Sequence, residues 1–267
     1  MLIDTHCHLD AAEFDPDRPA ILTAARAAGV GGLLVPGVEI ANLDAVAALS
    51  RANPDCCHAF GIHPLYVGRA GPDDLERLRE RLADGTAVAV GEIGLDGYVA
   101  DGDLPLQRRF FEAQLRLAQD FTLPVVLHIR RAQDEILKYL RRIPVTGGIA
   151  HAFNGSRQQA EAFIALGFRL GFGGAMTFTG SRRIRELAAS LPLESIVLET
   201  DAPDIPPAWC GGRRNDPANL ARIAGVLADL RQMPVEAVIA ATGANAAAVV
   251  PGLAALRAGG KAPGCGQ

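Results

Sequence analysis

Pro124-Val125-Val126-Leu127-His128 is a short apolar run that ends on a histidine, and Ala132 to Arg142 follows it with apolar residues three or four apart. The run reads as a buried strand and the following segment as a helix with one apolar face. Working outward, the same pair recurs. Upstream, the runs Leu2–Thr5, Gly32–Val35, Cys57–Ile62 and Ala87–Gly91 alternate with helical segments Pro16–Ala28, Ala41–Ala52, Asp73–Ala83 and Leu104–Gln119. Downstream, Gly147–His151, Phe168–Phe172 and Ser195–Glu199 alternate with Gln158–Leu166 and Arg182–Ser190, after which Pro217–Leu230 and Val235–Val250 read as helices. Strict alternation implies parallel strands joined by crossover helices, and eight units favour closure over an open sheet. The expected fold is therefore α/β, a TIM (β/α)8 barrel with an extra C-terminal helix. The expected domain spans residues 1–250, with 251–267 a flexible Gly/Pro-rich tail.

A chain of 267 residues suits such a barrel, which takes about 250. Hydrophobic residues at 49% and charged residues at 21% supply a large core and exclude whole-chain disorder. The formal charge of −4 excludes a surface that is basic all over, so any phosphate recognition has to be local. Cys7, Cys56, Cys57, Cys210 and Cys265 are odd in number and show no CxxC spacing, which reads as reduced thiols in a cytoplasmic protein. No signal peptide or membrane-spanning stretch is visible, so no membrane partner is expected, and a monomer is.

Five of the six histidines fall at strand ends: His6 and His8 after the first, His63 after the third, His128 on the fifth and His151 on the sixth. Glu92 follows the fourth strand and Asp201 the eighth. A barrel gathers all these ends on one rim, where its chemistry sits. His6 and His8, two apart on a strand, project to the same side and can grip one ion, while Cys7 between them points away. An ionised Glu92 is costly to bury without a cation, and its two oxygens can bridge two ions. Imidazole mixed with carboxylate suits Zn, Mn, Fe(II) or Mg. Asp201 at the rim could both bind metal and take a proton from an attacking water. His58, inside the third strand, reads as a packed histidine.

Six segments carry a family resemblance: Ile3-Asp4-Thr5-His6-Cys7-His8, Gly61-Ile62-His63-Pro64, Gly91-Glu92-Ile93-Gly94-Leu95-Asp96, Leu123 to Arg130, His151-Ala152-Phe153-Asn154-Gly155 and Leu198-Glu199-Thr200-Asp201-Ala202-Pro203. In this order they resemble the motifs of the TatD family of metal-dependent hydrolases in the amidohydrolase superfamily. The resemblance runs from Ile3 to about Asn245 and implies a TIM barrel housing a magnesium- or zinc-supported deoxyribonuclease that trims DNA from the 3′ end. Carried over, His6, His8, Glu92 and Asp201 hold one ion, and Glu92, His128 and His151 the second. Glu92 is then the bridge, His63 meets a substrate phosphate or leaving group, and Glu199 supports the ligands from behind. Gly97 stands where relatives often have an aromatic residue, the segment beginning at His151 departs from the usual Cys and Ser versions, and Ala246–Val250 lacks an arginine and a phenylalanine common in relatives. These departures spare every proposed ligand and place the chain near a less characterised bacterial branch.

Arg130 and Arg131, then Arg182, Arg183 and Arg185, then Arg213 and Arg214 follow the fifth, seventh and eighth strands and form a candidate phosphate collar, with Arg130, Arg182 and Arg213 the expected contacts. Gly173-Gly174 and Thr179-Gly180-Ser181 offer backbone N–H groups beside them. Tyr98, Phe153, Phe178 and Trp209 lie near the expected rim and could stack on terminal bases. The expected activity is 3′-5′ exonuclease hydrolysis of DNA, single-stranded or at ends, by a hydroxide generated on two divalent ions (Zn, Mg or Mn), with Asp201, His63 and Glu92 catalytic. The alternative keeps the metals and changes the bond: an esterase or deacylase, such as one acting on D-aminoacyl-tRNA, or a small-molecule amidohydrolase. A barrel that binds without turnover has no need of so costly a charge cluster.

Overall fold

The computed structural model describes residues 1–99 and 102–257. In chain order the regular elements are β1 (Leu2–Asp4), α1 (Arg18–Ala27), β2 (Val30–Pro36), α2 (Leu43–Ala52), β3 (Cys56–Phe60), α3 (Asp74–Ala83), β4 (Ala89–Asp96), α4 (Leu104–Asp120) and β5 (Val125–Arg130). They continue with α5 (Gln133–Arg142), β6 (Gly148–Ala150), α6 (Arg157–Ala165), β7 (Phe168–Phe172), α7 (Arg182–Ser190), β8 (Ile196–Leu198), α8 (Leu220–Arg231), α9 (Val235–Val249) and α10 (Gly252–Arg257). The strands are all parallel and lie in sequence order from β1 to β8. The TIM barrel expected from the alternation is thus present.

Closure falls to the residues around β1 and β8. The Thr5 N–H and hydroxyl both donate to Leu198 O, each at 3.1 Å. Asp4 lies across the seam, its Oδ1 accepting the Thr200 N–H at 2.9 Å and its Oδ2 the Thr200 hydroxyl at 2.6 Å. These bonds replace a regular ladder where the strands are only three residues long.

Strand alternation sorts the core into two layers. Leu33, Val35, Phe60, Val90, Val125, Leu127, Leu170 and Leu198 face the helices. Ile3, Leu34, Cys57, Ala59, Ala89, Val126, Ile149 and Val197 fill the barrel, together with Val249, Val250, Leu253 and Leu256. The last two belong to α10, which corrects the expectation of a flexible tail from residue 251. Leu253 is fully buried, and Leu256 Cδ1 comes within 3.3 Å of where a Cβ would stand on Gly32, near the start of β2. The helix therefore plugs the barrel at the N-terminal ends of the strands. Residues 258–267 of the expected tail lie outside the described residues.

β4 also departs from the expected element, running on past Gly91 to Asp96. Its register with β5 slips between Val90 and Ile93. Val90, Ile93 and Leu95 all lie in the helix-facing layer, a spacing that strict alternation forbids. The extra residue at the slip turns Glu92 away from the helices and toward the barrel mouth, as bulges beside active sites do.

Candidate metal centre

The ends of the strands deliver seven side chains to one point. His6 is fully buried and its Nε2 lies 3.1 Å from Glu92 Oε2, 3.6 Å from Asp201 Oδ1 and 3.2 Å from His8 Nε2. His8 Nε2 is 3.5 Å from the same Glu92 oxygen and 3.7 Å from Asp201 Oδ1. The other Glu92 oxygen, Oε1, is 3.0 Å from His128 Nδ1 and 3.5 Å from His63 Nε2. His151 Nε2 is 3.4 Å from Asp201 Oδ1, and its ring stacks on His6 at 3.6 Å.

Three overlapping groups have donor atoms close enough to share an ion: His6, His8 and Asp201; His6, Glu92 and His151; and His63, Glu92 and His128. Every expected ligand is therefore in the cluster. Within these groups His151 lies beside His6, on which its ring stacks, and His63 lies beside His128. The donor set fits a cation. At the meeting point of His6, His8 and Glu92 the two Nε2 atoms face each other at 3.2 Å and share one carboxylate oxygen, and His6 Nδ1 has no hydrogen-bond partner among the described residues.

The electrostatics favour the ligand form of His6, Glu92 and Asp201, and keep on His151 and His128 a proton that a cation would have to displace. Burial, then the charge of His151, holds His6 below the ordinary imidazole range. Burial opposes ionisation of Glu92, but the imidazoles of His63 and His6 and the hydrogen bond from His128 outweigh it and hold the carboxyl well below its usual range. Asp201 is held down in the same way, burial being overcome chiefly by His151. His151 and His128 are raised despite burial, the first by Glu199 and Asp201, the second by Asp96 and Glu92.

Behind the cluster, two carboxylates orient two imidazoles by the nitrogens that face away from Glu92 or Asp201. Glu199 Oε1 lies 3.0 Å from His151 Nδ1 and accepts the Ala152 N–H at 2.6 Å, in a space that exists because residue 171 is glycine: a Cβ there would lie 2.1 Å from Glu199 Oε2. Asp96 Oδ2 lies 3.0 Å from His128 Nε2. Asp96 had no functional reading in the sequence, though its position four residues after Glu92 on one strand is the signal that the slip in β4 makes meaningful. Asp4, fully buried at the barrel seam and pushed up to about 7 by burial against the opposing Thr200 hydrogen bonds, was likewise not anticipated.

The other expected residues divide. Arg130 closes β5, and Arg182 and Arg213 lie on segments that follow β7 and β8; all three are exposed, with Arg213 Nε donating to Cys210 O at 3.2 Å. Arg214 is committed elsewhere, to Asp17 and the carbonyl of Glu13, and Arg183 to Asn154 Oδ1 at 2.7 Å. The Ser181 N–H is used by Phe178 O within the turn, so the expected backbone cradle is not free there. Phe153 is buried and Trp209 bonds through Nε1 to Asn219, which leaves Tyr98 and Phe178 as the exposed aromatics of the expected four. His58 is buried in β3 and packs against Phe60, as expected, and Cys7 lies in the helix-facing layer.

A parallel eight-stranded barrel with an imidazole and carboxylate cluster at the C-terminal strand ends defines a metal-dependent hydrolase. The model of the TatD-related DNase family matches residues 3–251, and the chain belongs to that family. The chain is 42% identical over 238 residues to the uncharacterized metal-dependent hydrolase YjjV of Escherichia coli K12, covering 88% of this chain and 92% of the relative. The crystal structure of YjjV, a TatD homologue, matches with a TM-score of 0.90 at 38% identity, covering 94% of this chain and 98% of that one. A 3′-5′ ssDNA/RNA exonuclease TatD of Escherichia fergusonii is 33% identical over 256 residues, covering 91% and 96%.

Proposed function

We propose that this protein is a phosphodiesterase with two divalent metal ions that shortens single-stranded DNA from its 3′ end, acting as a monomer in the cytoplasm. The observation that carries this reading is the division of the Glu92 carboxylate, with Oε2 facing His6 and His8 and Oε1 facing His128 and His63. Such a division suits a carboxylate shared by two cations. His6, His8 and Asp201 would hold one ion with Glu92 Oε2, and His128 the other with Glu92 Oε1, while His151 stands within reach of His6 and Glu92. Zn, Mg and Mn all suit these donors. Bound there, such ions supply Lewis acidity toward a phosphoryl oxygen and make water a better nucleophile at neutral pH.

The chain's own residues do the remaining work. Asp201, held ionised, accepts a proton from the attacking water. His63 is kept below the ordinary imidazole range by burial, and the Leu65 N–H donates to its Nδ1 at 3.2 Å, which leaves the proton on Nε2. That proton is available to a phosphate oxygen or to the leaving group. Arg130, Arg182 and Arg213 meet the strand's phosphates. The 3′-5′ exonuclease name of the Escherichia fergusonii relative supports the polarity, and the free, buried thiols of Cys7 and Cys210 suit a reducing compartment.

Metal-stripped protein refilled separately with Mg, Mn and Zn and given 3′- and 5′-labelled single-stranded DNA tests this. The expected result is stepwise, metal-dependent loss from the 3′ end that falls by about 100-fold or more in Asp201→Ala. DNA left intact with every metal, while an aminoacyl-tRNA or a small ester is hydrolysed, would replace phosphodiester by carboxylic ester chemistry.

A further inference from the structure

Next to the ligand cluster, the loop after β4 leaves Tyr98 50% exposed with two guanidinium groups against its ring. Arg130 Cζ lies 3.8 Å and Arg131 Cζ 4.6 Å from the ring centroid. Extended backbone sends consecutive side chains to opposite sides, but Arg131 has φ of 53°, and this left-handed residue lets both arginines reach one ring. The loop lies unusually close to the end of β5. The Gly97 N–H donates to Arg130 O at 2.7 Å, and a Cβ on Gly97 would stand 2.9 Å from Arg131 O. Asp96 fixes the approach, its Oδ1 accepting the Tyr98 and Val99 N–H groups at 2.8 and 3.3 Å while its Oδ2 holds His128.

Among the described residues neither guanidinium group donates a hydrogen bond. Arg130 pairs only loosely with a carboxylate there, its Nη1 lying 3.9 Å from Asp96 Oδ2. An arginine resting on an aromatic face has lost much of its freedom before a ligand arrives, which lowers the ordering cost of binding. Its fork matches a phosphate through paired N–H donors. These donors sit one carboxylate away from His128, beside the reacting centre and outside it.

We propose that Arg130 and Arg131, held by Tyr98, form a clamp for a second phosphate of the substrate, the one neighbouring the scissile diester along a single strand. Tyr98 is a positioning residue that acts through the two arginines. The proposal rests on the phosphodiesterase reading and adds the basis on which the site selects a polymer over an isolated diester. A strand offers a neighbouring phosphate and a lone diester does not.

The test compares oligothymidylate with bis(p-nitrophenyl) phosphate on metal-loaded protein, together with anisotropy titration of labelled oligothymidylate on metal-stripped protein. Tyr98→Leu and Arg130→Gln should raise the KM for the oligomer, relative to that for the single diester, about 10-fold with little change in kcat, and weaken oligomer binding to a similar extent. Tyr98→Phe keeps the ring and should keep the wild-type ratio. Arg130→Gln should also lower the slope of log affinity against log salt by about 1. Equal effects of Tyr98→Leu on both substrates, or a salt slope unchanged in Arg130→Gln, would overturn the clamp and leave the phosphodiesterase reading standing. Wild-type protein that hydrolyses only the single diester would overturn the clamp and the single-stranded DNA substrate while leaving phosphodiester chemistry standing, and one that hydrolyses neither would overturn both readings.

Discussion

Asp96 uses its two oxygens for different purposes, one on the His128 ring and one on the turn that presents Tyr98. Burial works against its charge, but the His128 hydrogen bond and the Tyr98 N–H prevail and bring its pKa down to about 2. An asparagine there can still accept the turn's N–H groups but offers His128 no charge. Asp96→Asn should therefore leave the fold intact and weaken metal binding about 10- to 100-fold, as measured by competition with a chromophoric chelator. Unchanged affinity would mean that His128 needs no support from this side. The ligands were legible in the sequence because each stands at the close of an apolar run, where a barrel must bring it to the rim. Asp96 was not, because its meaning depends on a partner 32 residues away and on a slip in strand register that apolar periodicity does not report.

At the level of single elements, β3 contains a histidine that takes no part in the cluster. His58 faces the helix layer, with Nε2 3.3 Å from Thr86 Oγ1, and burial, with Arg51 and Arg81 nearby, brings its pKa down to about 4 from 6.5. Between those values the unfolded chain takes up a proton that the folded chain refuses, so stability is full above pH 6.5 and is lost as pH falls toward 4. The loss amounts to about 3 kcal/mol, and urea unfolding at a series of pH values should show it flattened in His58→Gln. A pH profile identical in wild type and variant would remove His58 from the account. Most strands and helices were readable to within a residue or two, since buried runs and three-to-four spacing survive in any context. β4 was cut short because Gly91 looks like a strand end, whereas in the fold it precedes the turn of Glu92 into the barrel mouth. Gly252–Arg257 was taken for tail because a helix of six residues, carrying only two leucines, has no reason to form until a barrel interior is there to receive it.

For the molecule as a whole, that short helix closes the end of the barrel opposite the metal centre. Leu253→Ala would leave a cavity in the layer that fills the barrel and should cost about 3 kcal/mol by denaturant titration, with metal content kept because the cluster lies at the other mouth. A loss of metal along with stability would show that the two ends are coupled. Among the described residues Arg130, Arg131 and Arg182 stand near the rim with guanidinium groups outside any hydrogen bond, in line with the sequence argument that phosphate recognition has to be local. What each arginine binds was beyond the sequence, since Arg213 and Arg214 are neighbours in one loop and the fold turns the first back to Cys210 O and ties the second to Asp17. The position of the plug also sets an order of events during synthesis. Residues that complete the barrel interior are made after all eight strands, so a nascent chain carries every ligand of the metal centre while the space behind Ile3 and Val197 is still open to water. Until Leu256 arrives, the polypeptide has the parts of the centre without the floor they are built on.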